Sequence, residues 1–550
     1  MNMLKATTQG AMASTLYTCL IVISRAANVP VSDVNNFSCD PYFHATLSTG
    51  REGQDSQCLA YRTHTARRTR DPSFDSQWLV SGIPASGFTL SLTLFDEDAG
   101  SFDDKLGKAV LHFPETGSTL EDGWESGQQE YKVHKRRGVL SSKIWTFAAK
   151  VVTKGKAGHR CRAWVSVQVV GKAEDQKDRR LYTLGPHRFS QHFSPVLGSF
   201  LGATKAPNED NSQPTLRAST FVANRVQLSG PVPASLRHRY VGFAPFIKAM
   251  FKKKGIEGIL LHRALHRQHS LIYKWNKNTA YGVAGEDGKS NGHEDGVNGE
   301  NGGETSRGEE KKGEGERKGE GELVSSDAFA RQFLRMTSHG THGRIFTYVI
   351  MLDGEWRFTE TGDEFAIQFL SKHTMHSDVA VEIAFSGEFF VRPVHEHEHD
   401  YDDKNPPSDP SYYELIIDND SGTYRPSKDL LPTLQSFLSS PKNLSSFGRV
   451  TAMDGFDEKL KKWKEERTQA KKQGDGERKQ NGKVVQASVS SSSSSASSVS
   501  SEEGEALGLG KRSSVGSDQV EAALKEDAKR AKENQDEDTG AKKEEQKVEC

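Results

Sequence analysis

Apolar and polar residues alternate over short runs through the first third of the chain. Phe88, Leu90, Leu92 and Leu94 interleave with Thr89, Ser91 and Thr93, the period-2 pattern of a strand with one buried face. Similar runs occupy 16–24, 41–48, 108–113, 144–152 and 163–170, separated by turn-forming residues. No helical period competes with them. The pattern predicts an all-β antiparallel sandwich of seven or eight strands over 14–173, with a charged insert at about 114–142, preceded by a loose tail at 1–13. The apolar run 16–23 has Lys5 upstream and superficially resembles a leader segment. It is short for that role and reads better as the first buried strand.

The pattern then changes. Residues 181–275 begin turn-rich, and 243–275 takes on helical spacing. Phe243, Ile247 and Met250 form one stripe, and Leu261, Leu265, Ile272 and Trp275 another. Gly255 and Gly258 between them predict two helices or one kinked helix. Residues 284–322 are Gly, Glu, Lys and Asn with almost no apolar side chains, a flexible linker after a segment at 181–283. Over 323–467 order returns. Strands at 344–352, 379–391, 412–418 and 448–454 alternate late with helices at 428–439 and from Asp457. This implies a small α/β or α+β domain with some parallel pairing. A serine run and mixed Lys/Glu blocks make 468–550 a disordered or transiently helical tail.

Composition refines this. With 34% hydrophobic and 27% charged residues in 550, the chain suits folded islands joined by solvated segments better than one globule. Lys+Arg 73 against Asp+Glu 74 leaves a net charge of −1, which argues against a general nucleic-acid binder. Five cysteines without a C-x-x-C pair fit reduced thiols in a cytoplasmic setting rather than a disulfide framework. No apolar run approaches the roughly 20 residues of a membrane span.

The candidate chemistry lies at strand ends. Asp33 and Asp40 follow the first strand. Asp96, Asp98 and Asp104 follow the alternating one. Loops at one end of a sandwich cluster in space, and five carboxylates gathered there repel unless a cation neutralises them. Calcium accepts about 6–8 oxygen ligands at about 2.3–2.6 Å in flexible geometry, which irregular loops supply more readily than the rigid octahedron of magnesium.

Over 16–113 the chain resembles the C2 domain, a calcium- and phospholipid-binding sandwich. The matching residues are Asn28-Val29-Pro30, Asp40-Pro41-Tyr42, Thr69-Arg70-Asp71-Pro72-Ser73-Phe74 ahead of Trp78, the Asp96-x-Asp98 pair, and Asp104-x-x-Gly107. Asp33 and Asp40 stand seven apart, one more than is common in the family. By position the resemblance implies Asp33, Asp40, Asp96, Asp98 and Asp104 as calcium ligands, with Asp103 able to replace Asp104 in a shifted loop. It implies an anionic phospholipid membrane as partner, bound peripherally and reversibly. Phe37 and Phe102 sit where loop tips would dip into the interface. Arg62, Arg67, Arg68 and Arg70 lie on the region resembling the family's basic, phosphoinositide-binding strand.

Two further features bear on partners and chemistry. Residues 244–275 carry seven basic residues against the single acid Glu257, which suits a membrane-surface or partner helix. His339/His342 and His373/His376 are H-x-x-H pairs that could ligate zinc or iron, although Gly340 and Gly343 indicate a loop. HEHEHD at 395–400 is a polar loop with weak metal-binding character. GKS at 288–290 lacks the glycine and strand of a phosphate loop, and no catalytic signature is present. The segments 421–434 and 452–467 resemble the C-terminal part of C2-containing proteins of fungi and related lower eukaryotes, which supplies no chemistry.

The reading is therefore a multidomain protein. A C2-type β-sandwich precedes a helical segment and a small α/β (α+β) domain, with a disordered linker and tail. The expected role is calcium-dependent binding of anionic phospholipid by a cytoplasmic adaptor whose C-terminal domain engages a protein partner. The alternatives are an enzyme acting on lipid or a phosphoester at the histidine region, and a calcium-independent protein-interaction module.

Overall fold

The computed structural model describes residues 15–32, 38–50, 57–97, 103–115, 117–135, 161–194, 221–239, 259–260, 262–263, 279–285, 324–361, 382–394, 405–420 and 425–480. The chain divides into two compact units. The first comprises 1–98, 102–186 and 229–231; the second comprises 99–101, 187–228 and 232–550.

The first unit is built from β1 (Leu16–Ala27), β2 (Pro41–Thr49), β3 (Gln57–Arg62), β4 (Ser73–Pro84), β5 (Phe88–Asp96), β6 (Asp104–Phe113), β7 (Gln129–Lys132), β8 (His134–Lys135), β9 (Arg162–Lys172) and β10 (Tyr182–Gly185). They form two antiparallel sheets, ordered β10-β4-β1-β9-β7 and β3-β2-β5-β6-β8. The apolar run 16–23 is the centre of β1, paired to β4 on one side and β9 on the other. Ile21, Ile23, Trp78, Leu90, Leu92, Leu94, Val165 and Val167 from both sheets share one core. Alternation along β5 thus buries one face, the dominant favourable contribution to the fold. The predicted strand at 144–152 lies outside the described residues.

The second unit departs further from expectation. The stretch read as turn-rich contains β11 (Arg188–Ser194), followed by β12 (Phe221–Gln227), the short β13 (His238–Arg239) and β14 (Thr279–Val283). Polar residues dilute the apolar signal of β11, so its strand character comes from pairing with β12 and β14 on either side. Of the helical segment predicted at 243–275, only 259–260 and 262–263 are described, and they are helical. Then come α1 (Ser326–Met336), β15 (Phe346–Ile350), β16 (Glu355–Glu360), β17 (Glu382–Ile383), β18 (Phe385–Pro393), β19 (Tyr413–Asp418), α2 (Leu431–Leu438), β20 (Arg449–Met453) and α3 (Glu458–Gln480). One eight-stranded sheet runs β14-β11-β12-β16-β15-β18-β19-β20. It is antiparallel except for the parallel pair β19–β20, joined through α2. The parallel pairing expected from strand–helix alternation is confined to that edge. α3 also continues through 468–480, within the segment read as disordered or transiently helical.

Successive residues of β18 and β19 face opposite sides. Phe389, Val391, Leu415 and Ile417 join the core containing α1 and α2. Phe390 and Ile416 pack with Leu460 of α3. Burial on both faces explains the apolar triplets 389–391 and 415–417 there. Among the described residues no helix is long and apolar enough to cross a membrane.

Candidate functional site

Three of the five predicted aspartate ligands are described, and sheet register gathers them. Pro41, at the start of β2, pairs with Asp96 at the end of β5, which in turn pairs with Asp104 at the start of β6. The Asp40 N–H donates to Asp96 Oδ1 at 2.5 Å, and Asp96 is fully buried. Asp33 and Asp98 lie outside the described residues, as do the loop-tip residues Phe37 and Phe102.

The arginines are placed by backbone pairing beyond β3. Residues 63–69 run alongside 39–43: Thr63 N–H donates to Phe43 O, Ala66 N–H to Pro41 O and Thr69 N–H to Cys39 O, each at 3.0 Å. This sets Arg67 and Arg68 beside Asp40. Arg68 adopts a left-handed φ of 52°, and its N–H donates to Asp40 Oδ1 at 2.7 Å. Arg67 Nη1 donates to Asp40 Oδ2 at 3.0 Å, and its Nη2 to Glu97 Oε1 at 2.8 Å. Both Asp40 oxygens therefore accept from donors of the neighbouring turn.

Glu97, which the spacing argument passed over, is the hub of this arrangement. Its backbone N–H donates to Asp40 O at 2.9 Å. Its buried carboxylate also accepts from Arg62 Nη2 at 2.8 Å and from the Thr65 hydroxyl. Burial alone would raise the Glu97 carboxyl; Arg62 and Arg67 outweigh it and leave it below its ordinary value. Arg62 is 3% exposed, so its guanidinium has no access to an outer surface. It lies 3.7 Å over the Tyr42 ring, a cation–π contact. The Tyr42 hydroxyl donates to Asp103 Oδ2 at 2.8 Å. Burial first, with Asp103 adding, pushes the Tyr42 phenol up despite Arg62. Arg70 Nε donates to Val29 O at 2.9 Å. Of the four arginines on the region resembling the family's basic strand, Arg62 is internal, Arg67 spans two acids, Arg68 is exposed and Arg70 ties two segments together.

These carboxylates are hard oxygen donors and suit calcium in kind. Among the described residues, no group of three or more His, Cys, Asp or Glu side chains is placed to hold a metal ion. Asp33 and Asp98, which would complete the set, lie outside that group.

In the second unit, His339 and His342 fall in a turn with left-handed φ of 55° and 58°. A Cβ on Gly340 would sit 2.0 Å from Val391 O, so the turn is pressed against β18. His339 lies 5.9 Å from the Tyr413 ring. Burial, and then Arg335, lower its imidazole. His373, His376 and the 395–400 loop lie outside the described residues, so the two histidine pairs are not brought together among them.

Residues 18–127 match the model of the C2 domain family, and the N-terminal sandwich accordingly belongs to that family. No curated protein matches the chain. Among solved structures, a C2 domain of plant extended synaptotagmin 1 aligns at 14% identity and a TM-score of 0.20, covering 28% of this chain and 93% of that one. Human GIVD cytosolic phospholipase A2, solved with methyl gamma-linolenyl fluorophosphonate, aligns at 14% identity and a TM-score of 0.21. That alignment covers 46% of this chain and 38% of the enzyme. At these values neither neighbour bears on function.

Proposed function

We infer that the C2 sandwich docks the protein on anionic phospholipid surfaces through its loop end, in a calcium-dependent manner. The protein then acts as a peripheral, reversible cytoplasmic adaptor. The observation that carries this reading is the registered placement of Asp40, Asp96 and Asp104 at one end of a C2 fold. Asp33, Asp40, Asp96, Asp98 and Asp104 are the residues that would hold the ion. When bound, calcium supplies open coordination positions for lipid phosphate and carboxylate oxygens. Compensating the acidic loop end converts repulsion of an anionic leaflet into attraction, worth on the order of 1 kcal/mol per basic charge near the surface.

The chain's own residues prepare that step. The Asp96 carboxylate, fixed by the Asp40 N–H, holds the start of β2 against the end of β5. Glu97, Arg62 and Thr65 brace the turn below it. To the second unit we assign the role of engaging a protein partner.

Co-sedimentation with phosphatidylserine-containing vesicles, in calcium and in chelator, tests the reading. We expect pelleting only with calcium. Asp96→Asn and Asp98→Asn should each abolish the difference while the sandwich stays folded. Equal pelleting under both conditions would favour the calcium-independent interaction module instead.

A further inference from the structure

We propose that Arg67 is a tethered cation that competes with calcium for Asp40 and thereby sets the calcium threshold of the loop end. The inference rests on the calcium-dependent reading above. It starts from one bridging side chain: the Arg67 guanidinium spans Asp40 Oδ2 and Glu97 Oε1 at 3.0 and 2.8 Å. It stands where the charge of the acidic end most needs compensation.

Geometry makes the two cations alternatives. Calcium requires its carboxylate oxygens at about 2.3–2.6 Å. Asp40 Oδ2 already accepts from Nη1, and Oδ1 accepts from the Arg68 N–H. A guanidinium and a divalent ion on the same oxygen would put three positive charges within a few ångströms. The guanidinium must therefore swing away for Asp40 to ligate.

The remaining contacts permit that exchange. The Arg67 side chain is 39% exposed, so solvent is open to it once released. Glu97 loses one partner but keeps Arg62 and Thr65, so no buried carboxylate is stranded. Arg62 does not take part in the exchange, because it is buried under Tyr42 and Glu97. Among the described residues, Arg67 alone combines a direct side-chain bond to a predicted ligand with a route to solvent. Displacing one partly exposed ion pair weakens calcium binding without preventing it, by roughly fivefold, the upper end of what such a pair contributes.

The test is isothermal titration of calcium into the full chain, wild type against Arg67→Gln and Asp40→Asn, with vesicle co-sedimentation of the same proteins. We expect Arg67→Gln to bind calcium about fivefold more tightly and to pellet at correspondingly lower calcium. Asp40→Asn should lose calcium binding. Equal affinity in wild type and Arg67→Gln, with Asp40→Asn still impaired, overturns the competition and leaves the function reading intact. No calcium uptake by either the wild type or Arg67→Gln overturns both. Should Arg67→Gln not fold, the wild type still decides. The Arg67 Nε–H resonance should move during calcium titration as the side chain leaves Asp40, and an unmoved resonance at saturation overturns the proposal.

Discussion

At the scale of single residues, the arginines of the first unit have distinct roles despite their proximity in sequence. Arg62 neutralises a buried carboxylate and lies over an aromatic ring. Removing one member of a buried, hydrogen-bonded pair leaves the other charge uncompensated, which costs about 3–5 kcal/mol. Arg62→Ala should accordingly lose that much stability in urea unfolding. The double variant Arg62→Ala/Glu97→Gln should recover a large part of it; a double variant no better than the single would rule out the stranded charge as the cause. His187 offers a second residue-scale prediction. It stacks on Phe329 with centroids 4.2 Å apart, and its two ring nitrogens lie 2.9 Å from Gln227 O and 2.8 Å from Lys442 O. A neutral ring has one N–H and can satisfy one carbonyl. Burial nevertheless outweighs both carbonyls and lowers the imidazole from 6.5 to about 4. As pH falls, the unfolded chain takes up this proton first. The stability contribution is therefore complete above 6.5 and is lost progressively as pH drops toward 4, by about 3 kcal/mol. His238 and His339, lowered chiefly by burial, act in the same direction. His187→Gln should flatten the acid limb of the stability–pH curve for the second unit. An unchanged slope would show that His187 does not contribute to it.

At the scale of elements, α3 is held by charge as much as by apolar packing. Asp457 caps its start, with Oδ1 accepting from the N–H groups of Lys459 and Leu460 at 2.8 and 3.2 Å. Leu460, Trp463, Lys464, Arg467 and Lys471 recur at helical spacing. Leu460 packs on Phe390 and Ile416, and Arg392 lies 3.8 Å over Trp463. Lys464 Nζ reaches Glu388 at 2.6 Å and Asp418 at 2.7 Å. Burial opposes its charge, but the two acids outweigh that and raise its pKa above the ordinary lysine value. Burial also raises the Asp418 carboxyl, against the pull of Lys464. Arg467 Nη2 donates to Gly340 O at 2.6 Å, and a Cβ on Gly343, whose φ is +66°, would sit 2.1 Å from Arg467 O. The helix thus fits closely against the turn. Lys464→Met should strand Asp418 and Glu388, cost about 3–5 kcal/mol locally, and speed amide hydrogen exchange throughout α3 while α1 stays protected. Unchanged exchange in α3 would show that the apolar contacts alone hold it.

At the scale of the molecule, two hydrophobic cores are built separately, one around Trp78 and one around Trp356 and Phe389. Each is expected to open as its own cooperative unit. Calcium at about 100 times its dissociation constant should add about 2.7 kcal/mol to the unit that binds it. Segment-resolved hydrogen exchange should place that gain in β2, β5 and β6 and leave β15, β18 and β19 unaffected. A gain spread equally over both cores would contradict a calcium site confined to the sandwich.

The sequence by itself determined the sandwich and the location of its acidic end. A period-2 run such as Phe88–Leu94 has one stable way to bury its apolar face, and strand ends carry the residues that follow them. The apolar triplets 389–391 and 415–417 likewise marked β18 and β19. Tertiary structure decided what each charge at that end does. Nothing in the spacing of Arg62, Arg67, Arg68 and Arg70 distinguishes an internal counter-ion from an outer one, because the backbone pairing of 63–69 with 39–43 is long-range. Glu97 became the hub because that pairing brought Arg67 to it and the β2–β3 register brought Arg62. β11 and β12 likewise depend on neighbours distant in the chain, since their own side chains are too polar to announce a strand. Local periodicity records which face of an element seeks burial, whereas the partner of a charge is set only when remote segments meet.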